Sequence, residues 1–333
     1  MKDLQKVSIK RHAAAVDAPF DFVSYQLFGP ALHTAPVVLV LHALSGNSSV
    51  CGPQGWWNGL IGDDQSIDTK KFTVLAINSP GNGYDGQLLD NPYAFRLKNV
   101  ASWVLAALDE IGLKDLYAVI GGSLGGCLAW QLVALRPDLC KHLIPVAAHW
   151  KASPWVVAQG MVQDRILSNS KEPLFDARVH AMTFYRNPNA FIVKFGSDDS
   201  LHAAASVYDW LHFHGCSLKD RFTLKAYKFM NWLLTTHDCT NNERGIEMVL
   251  RAFKGELHLI GIQDDLLYSE TDIKQTASLA RALGVQVHHH RLISEQGHDA
   301  FLIEQEQLGS FIASVFAGTT LKNDSYELSK SPR

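Results

Sequence analysis

The chain has 333 residues, of which 47% are hydrophobic and 19% are charged, and its formal net charge at pH 7 is −3. This composition is ordinary for a soluble globular protein, and the small net charge argues against nucleic acid or an anionic membrane as a partner. Every uncharged apolar run is shorter than the roughly 18 residues that a membrane-spanning helix needs.

The N-terminal twenty residues lack the apolar core of a secretory signal peptide. The five cysteines are scattered and form no C-x-x-C pair, so neither a disulfide framework nor a zinc knuckle is predicted. Both observations favour a cytoplasmic protein.

Strands and helices alternate as far as residue 148. Continuous apolar runs predict strands that are buried on both faces of a sheet. The predicted strands are 22–29, 36–44, 72–81, 116–120 and 142–148, and the predicted helices are 99–113 and 124–135. This alternation is typical of a mostly parallel sheet with helices on both faces.

The character of the sequence changes between residues 151 and 249, where helical patterns, aromatic residues and histidines dominate. We predict a mainly helical insertion there. The alternation then resumes with a strand at 257–262, a helix at 270–283, a strand at 285–293 and a closing helix at 301–316. The predicted organisation is a core of residues 1–150 and 250–318, a helical lid of residues 151–249 and a polar tail of residues 319–333.

A glycine-flanked serine lies where the strand at 116–120 meets the helix at 124–135. Residues 121–125, GGSLG, fit the G-x-S-x-G pattern of a nucleophile elbow. Small residues two positions before and after the serine let the strand and the helix approach each other. The alternative is the glycine-rich turn of a dinucleotide-binding unit, but its G-x-G-x-x-G fingerprint is not matched. We therefore predict that Ser123 is a nucleophile.

A serine nucleophile needs a base and a third group that orients the base. In the α/β-hydrolase arrangement an Asp or Glu and then a His follow the serine, each in a loop after a strand. Asp264 and Asp265 follow the strand at 257–262, and His298 follows the strand at 285–293. We predict His298 as the base and select Asp264, which is nearer to the strand end, as the orienting residue. Asp265 is the alternative, and either aspartate could instead cap the following turn.

The oxyanion formed during acyl transfer requires hydrogen-bond donors. We predict the backbone N–H of Leu124 as one donor and that of Leu44 or Ala43 as the other. The run His288–His290 is not predicted to bind a metal, because neighbouring side chains of a strand point to opposite faces. No metal site is predicted elsewhere.

Beyond these residues, the sequence resembles the homoserine O-acetyltransferase family, which has the α/β-hydrolase fold, over about residues 36–312. The similar segments are LHALSG (41–46), GWWNGLIG (55–62), IDTKKFTVLAIN (67–78), AVIGGSLGG (118–126), YRNPNAF (185–191), KDRFTLKAY (219–227), GIQDDLLY (261–268) and GHDAFLIE (297–304). The lid and histidine-loop segments are much more specific than G-x-S-x-G.

The resemblance implies a ping-pong mechanism in which Ser123 takes an acetyl group from acetyl-CoA and passes it to the hydroxyl of homoserine. In this reading Asp264 orients the base His298. Asp299 holds the ammonium group of the acceptor, and Arg186 holds its other polar groups. The alternative for Arg186 is a structural ion pair. Acetyl-CoA is a co-substrate, no bound cofactor is implied, and the protein is expected to be a homodimer assembled through the lid.

One segment departs from the family pattern. Residues 78–92, NSPGNGYDGQLLDNP, replace the glycine-rich sequence that the family has after its third core strand. Because this segment is expected near the mouth of the active site, several alternatives stay open: a succinyl donor, another acceptor such as serine, or water, which would make the protein an esterase. A further alternative is a non-catalytic binding protein that retains the fold, but the complete triad argues against it.

Overall fold

Eight strands form one mixed sheet through the centre of the protein. The structure, a computed structural model, describes residues 4–9, 18–196, 199–241 and 245–317. The strands are β1 (Gln5–Ser8), β2 (Phe22–Phe28), β3 (Val37–Leu41), β4 (Ile61–Gly62), β5 (Ile67–Asp68), β6 (Thr73–Ile77), β7 (Leu116–Gly122), β8 (Cys140–Val146), β9 (Glu256–Ile262) and β10 (Val287–Leu292). Their order in the sheet is β1-β2-β6-β3-β7-β8-β9-β10, and β4 and β5 form a separate pair. The β1–β2 and β2–β6 pairs are antiparallel, and the other pairs of the large sheet are parallel.

The sheet is buried on both faces because its side chains alternate between two apolar clusters. In β3, Leu39 and Leu41 belong to one cluster, whereas Val38 and Val40 belong to the other. All five residues of β3 and all five of β6 are buried, which explains why both strands read as continuous apolar runs. The predicted α/β fold with a mostly parallel sheet is confirmed.

Helices cover both faces of this sheet and form the lid. They are α1 (Leu97–Glu110), α2 (Leu124–Leu135), α3 (Pro154–Asn169), α4 (Pro173–Tyr185), α5 (Pro188–Phe195), α6 (Ser200–Arg221), α7 (Leu224–Thr236), α8 (Ile246–Ala252), α9 (Glu270–Ala282), α10 (Ala300–Ile303) and α11 (Gln305–Ala317). Helices α1 and α2 bury Trp103 and Trp130 on one face, and α11 buries Leu308 and Ile312 on the other. Within the described ranges, every helix is too short or too polar to cross a membrane.

Between β8 and β9 the residues that the structure describes form six helices, α3 to α8, as the sequence predicts for the lid. Residues 190–195, AFIVKF, include two consecutive β-branched residues but lie within α5. This helix begins with Pro188 in its first turn, and the Asn187 side chain caps it by accepting a hydrogen bond from the N–H of Ala190. Helix α8 crosses the predicted lid boundary at residue 249. The domain limits stay predictions, and the predicted tail lies outside the described residues.

The C-terminal part differs from the predicted single helix at 301–316. A 3₁₀ turn (Gly297–Asp299) leads into the short α10, and the helix is interrupted at Glu304 before α11 begins. The backbone of Glu304 leaves the helical region, and its carboxylate accepts a hydrogen bond from the hydroxyl of Ser294.

Candidate active site

The nucleophile elbow is present at the junction of β7 and α2. Ser123 has φ 54° and ψ −123°, a conformation that is strained for a residue with a side chain. A Cβ at Gly121 would lie 2.4 Å from the carbonyl carbon of Gly125, and a Cβ at Gly125 would lie 2.2 Å from the carbonyl oxygen of Leu41. The glycines are therefore required because strand and helix backbones touch at this turn.

Three side chains from separate loops converge on this turn. The hydroxyl of Ser123 lies 2.9 Å from Nε2 of His298, and Nδ1 of His298 lies 2.8 Å from a carboxylate oxygen of Asp265. All three residues are buried. This is the arrangement in which an imidazole can take the proton of a serine hydroxyl while a carboxylate fixes the orientation of the ring.

The aspartate of this triad is Asp265, and the prediction of Asp264 is wrong. Asp264 has a positive φ of 55°, so the chain turns sharply one residue after Gln263 and points the Asp264 side chain into solvent. The next carboxylate then faces inward. One oxygen of Asp265 meets His298, and the other accepts hydrogen bonds from the N–H groups of Leu267 and Tyr268 at 2.7 and 3.1 Å.

The surroundings of His298 determine its basicity. Burial lowers the pKa of this imidazole, but the charge of Asp265, its hydrogen bond to the ring and the charge of Asp299 outweigh burial. The net effect raises the pKa above its ordinary value of 6.5. A stronger base at this position favours proton transfer from Ser123.

The loop after β3 lies beside the nucleophile and is held by His42. Burial lowers the pKa of His42 to about 4, so its ring is neutral at pH 7. Its Nε2 accepts hydrogen bonds from the N–H of Ser79 at 2.9 Å and the amide of Asn82 at 3.1 Å, and its Nδ1 donates to the carbonyl of Ala43 at 2.7 Å. The loop is thereby fixed where the second oxyanion donor is predicted.

Both candidates for that second donor, Ala43 and Leu44, line the cavity that contains Ser123. Leu124 is the first residue of α2, and its N–H therefore has no acceptor within the helix. The oxyanion roles of Leu44 and Leu124 stay predictions.

The cavity around Ser123 has a volume of about 460 Å³. The lid contributes Arg178, Tyr185 and Arg221 to its lining, and the histidine loop contributes Asp299. The segment 78–92, which departs from the family pattern, contributes Tyr84. A larger open cleft of about 1150 Å³ shares Ser49 and Gln54 with this cavity, but its lining contains none of the triad residues.

The structure places Arg186 in an ion pair, and its predicted contact with the acceptor stays a prediction. Its Nε lies 3.2 Å from a carboxylate oxygen of Asp299, and its guanidinium also donates to the side chain of Gln296. Arg186 is absent from the cavity lining among the residues described, whereas Asp299 faces the cavity. Arg186 therefore ties the lid to the histidine loop.

Two other arginines, Arg178 and Arg221, line the cavity, and neither of them is predicted from the sequence. Arg221 lies within the quoted lid segment KDRFTLKAY and donates a hydrogen bond of 2.7 Å to the carbonyl of Ser45 in the loop after β3. That segment was a usable signal for Arg221. Arg178 has no motif around it, and only the packing of α4 brings it to the cavity.

Comparisons with known proteins agree with this geometry. Residues 36–194 match the family described as alpha/beta hydrolase fold. The homoserine O-acetyltransferase of Nautilia profundicola is 27% identical over 325 residues, which cover 85% of this chain and 88% of that protein. The crystal structure of homoserine O-acetyltransferase from Bacillus anthracis superposes with a TM-score of 0.79 at 15% identity, covering 96% of this chain and 97% of that one. The crystal structure of esterase E22 superposes with a TM-score of 0.78 at 17% identity, covering 89% and 94%.

A mostly parallel sheet, a serine elbow after β7 and hydrogen-bonded partners of that serine after β9 and β10 define an α/β-hydrolase fold with a Ser-His-Asp triad. Within this fold the chain is a homologue of the homoserine O-acetyltransferases, which match most of its length at 26–29% identity. The resemblance inferred from its motifs is confirmed. The likeness to the esterase concerns the fold alone.

Proposed function

We propose that the protein transfers an acetyl group from acetyl-CoA to the hydroxyl of homoserine through an acetyl-Ser123 intermediate. The observation that supports this most directly is the cavity around Ser123, where two arginines and a carboxylate converge beside a complete triad. A zwitterionic hydroxyl amino acid carries the complementary charges.

In the first half-reaction the thioester carbonyl of acetyl-CoA lies next to Ser123. His298 takes the hydroxyl proton as the serine oxygen bonds to the carbonyl carbon, and the N–H groups of Leu124 and of Leu44 or Ala43 stabilise the oxyanion. The carbon–sulfur bond then breaks, and the proton on His298 passes to the sulfur, so that coenzyme A leaves as the thiol.

In the second half-reaction the acceptor hydroxyl gives its proton to His298 and its oxygen bonds to the acetyl carbonyl carbon. The bond to Ser123 breaks, and the proton returns from His298 to the serine oxygen. Asp265 keeps Nε2 of His298 directed at the reacting oxygens and stabilises the imidazolium that forms in each half-reaction.

The charged groups of the cavity suit the acceptor rather than water. Asp299 can accept hydrogen bonds from an ammonium group, and Arg178 and Arg221 can hold a carboxylate through paired N–H donors. The pair between Asp299 and Arg186 fixes the Asp299 carboxylate in place. The second candidate is an esterase, because the same triad would hydrolyse the acyl-serine if water reached it.

The test supplies the enzyme with acetyl-CoA and, in parallel reactions, with homoserine, serine or no acceptor; succinyl-CoA replaces acetyl-CoA in a matched set. Thiol release and the O-acylated amino acid are measured together. We expect equal amounts of thiol and O-acetylhomoserine, and little thiol beyond one equivalent when the acceptor is omitted. Continuous thiol release without an acceptor identifies an esterase and refutes the transferase.

Arg178→Ala tests how the acceptor is recognised. Losing a partner of a buried charge costs about 2–5 kcal/mol, so transfer to homoserine should slow by roughly 30-fold or more, while acetylation of Ser123 stays near the normal rate. Single-turnover kinetics separates the two steps. Arg165→Ala, which removes an exposed arginine of α3, serves as the control. If only the acetylation step is lost, Arg178 binds the donor acetyl-CoA and not the acceptor.

A further inference from the structure

A cluster of histidines lies at the edge of the sheet opposite the active site. His142 is the third residue of β8, Glu256 and His258 are the first and third residues of β9, and His288 is the second residue of β10. Ser123, Asp265 and His298 all follow the carboxyl ends of their strands. The cluster is therefore separated from the catalytic edge by about 13 Å along β9, four residues at about 3.3 Å each.

Strand register brings these side chains together. His142 pairs with Glu256 across β8 and β9, and His258 pairs with His288 across β9 and β10. Glu256 and His258 are two residues apart in one strand, so both face the same side of the sheet. The set lies on the face covered by α11, where His142 also contacts the ring of Tyr117 at 5.1 Å.

Three atoms of the cluster converge closely. Nδ1 of His142 lies 3.2 Å from Nε2 of His258, and a carboxylate oxygen of Glu256 lies 3.8 Å from the first nitrogen and 3.9 Å from the second. Ligands bound at about 2.0–2.1 Å in a tetrahedron are about 3.4 Å apart. The observed separations therefore need only small movements to enclose a metal ion.

We propose that His142, Glu256 and His258 bind a divalent transition-metal ion of the Zn²⁺ type. Two imidazoles and one carboxylate form a donor set that zinc favours, whereas magnesium and calcium prefer oxygen ligands. The fourth position is open to water. His288 stacks face to face on His258, with ring centroids 4.7 Å apart and planes inclined by 7°, and so it packs against the site.

The site is accessible from solvent. A cavity of about 570 Å³ reaches His142 and Glu256 from solvent. Lys141, Arg251 and Lys254 also line this cavity. Their positive charges oppose a cation held by charge alone, so an ion bound here depends on coordination by the imidazoles.

The effect expected of an ion at this position is on the stability of the fold. An ion held by His142 on β8 and by Glu256 and His258 on β9 would cross-link two neighbouring strands at the end that lies away from the catalytic loops. Coordination there stabilises the folded chain by mass action and takes no part in the acyl transfer.

The untagged enzyme is treated with a chelator and titrated with ZnCl₂, and binding is measured by titration calorimetry. Metal content is measured after dialysis, and thermal unfolding is measured with and without zinc. We expect one zinc ion per chain and a rise in the thermal midpoint of unfolding. Changing a partner outside the coordination shell typically costs 10–100-fold in affinity, so Glu256→Ala and His258→Asn, which remove ligands, should each weaken binding by about 100-fold or more.

His289→Asn is the matched control, because His289 lies between His288 and His290 on the opposite face of β10 and should keep wild-type affinity. Glu256 is partly exposed, so its variant is expected to fold even if His258→Asn does not, and acetylation of Ser123 verifies folding independently of metal binding. Wild-type protein that binds no stoichiometric zinc, or a Glu256→Ala variant that binds it as tightly as His289→Asn does, would overturn the proposal. Neither result bears on the acyl transfer.

Discussion

At the level of single residues, the two oxygens of the Asp265 carboxylate have different partners. One receives the N–H of His298, and the other receives two backbone N–H groups of its own loop, from Leu267 and Tyr268. The carboxylate therefore cannot rotate without losing hydrogen bonds on both sides. This double attachment fixes the tautomer and the direction of the imidazole that faces Ser123.

Replacing Asp265 should therefore be far more damaging than replacing its neighbour. Asp265→Asn leaves a similar shape but offers an amide to His298, and we expect acetylation of Ser123 to slow on the order of 10⁴-fold, as in serine proteases. Asp264→Asn should change the rate less than about threefold, since Asp264 is exposed. Rapid-quench measurement of the acetylated enzyme compares them. Equal loss in both variants would contradict the assigned triad.

The pH dependence of acetylation should follow His298. The ring must be neutral to accept the serine proton, so the rate rises as the pH passes upward through the His298 pKa, which lies above 6.5. Asp299 raises this pKa through its negative charge. Asp299→Asn should therefore move the acid limb of the pH–rate profile to lower pH, whereas Asp264→Asn should leave it in place. An acid limb that moves to higher pH in Asp299→Asn would contradict the prediction that the Asp299 charge raises the pKa of His298.

At the level of elements, the elbow depends on contact between backbones. Helix α2 approaches β3 so closely that a Cβ at Gly125 would overlap the carbonyl of Leu41. At Gly261 in β9, by contrast, an added Cβ would meet its nearest atom at 3.4 Å, an ordinary contact with Ile273.

Alanine substitution at these two glycines measures that difference. Overpacking typically costs about 1–3 kcal/mol, so Gly125→Ala should lower the free energy of unfolding by at least this much and abolish acetylation. Gly261→Ala should cost less than about 1 kcal/mol and retain acetylation. Denaturant unfolding and intact-mass spectrometry report the two effects. Normal acetylation in Gly125→Ala would mean that the elbow tolerates a wider turn.

The lid is attached to the core on both sides of the cavity. Arg186 pairs with Asp299 of the histidine loop, and Arg221 donates to the carbonyl of Ser45 in the loop after β3. Gly297 also packs against this attachment, since a Cβ there would lie 2.7 Å from the backbone nitrogen of Asn187. These contacts align the lid arginines with the nucleophile, and they make lid position and triad geometry interdependent.

At the level of the whole molecule, the lid leaves large apolar side chains exposed. Met161 is 66% exposed, Ile192 66% and Leu201 82%. Exposed apolar side chains of the lid are candidates for an interface, and the resemblance leads us to expect a homodimer.

We therefore predict a dimer in solution through the lid. Met161→Asp should shift the mass measured by light scattering toward that of the monomer, because dimerisation would bury the new charge. Ile293→Asp changes a comparably exposed apolar residue outside the lid and should leave the mass unchanged. A wild-type protein that is monomeric at all concentrations would refute the prediction.

The sequence by itself determined the features that depend on local pattern. The runs that became β3, β6 and β7 are apolar throughout because both faces of each strand are buried, and the ends of α2 coincide with the predicted 124–135. Ser123 and His298 could be identified because each follows a strand at the catalytic edge, where chain order alone limits the candidates. The glycines around the serine carried the rest of that signal.

Only the tertiary structure decided which of several similar side chains reaches the site. The left-handed turn at Asp264 directs the adjacent Asp265, and not Asp264, to His298. The packing of the lid places Arg178 and Arg221 in the cavity lining and Arg186 in an ion pair with Asp299. The convergence of His142 with His258 depends on the register of two strands that are more than a hundred residues apart in sequence. Side-chain direction and strand register are set by non-local packing. A shift of the register by one residue moves every side chain of the strand to the opposite face of the sheet.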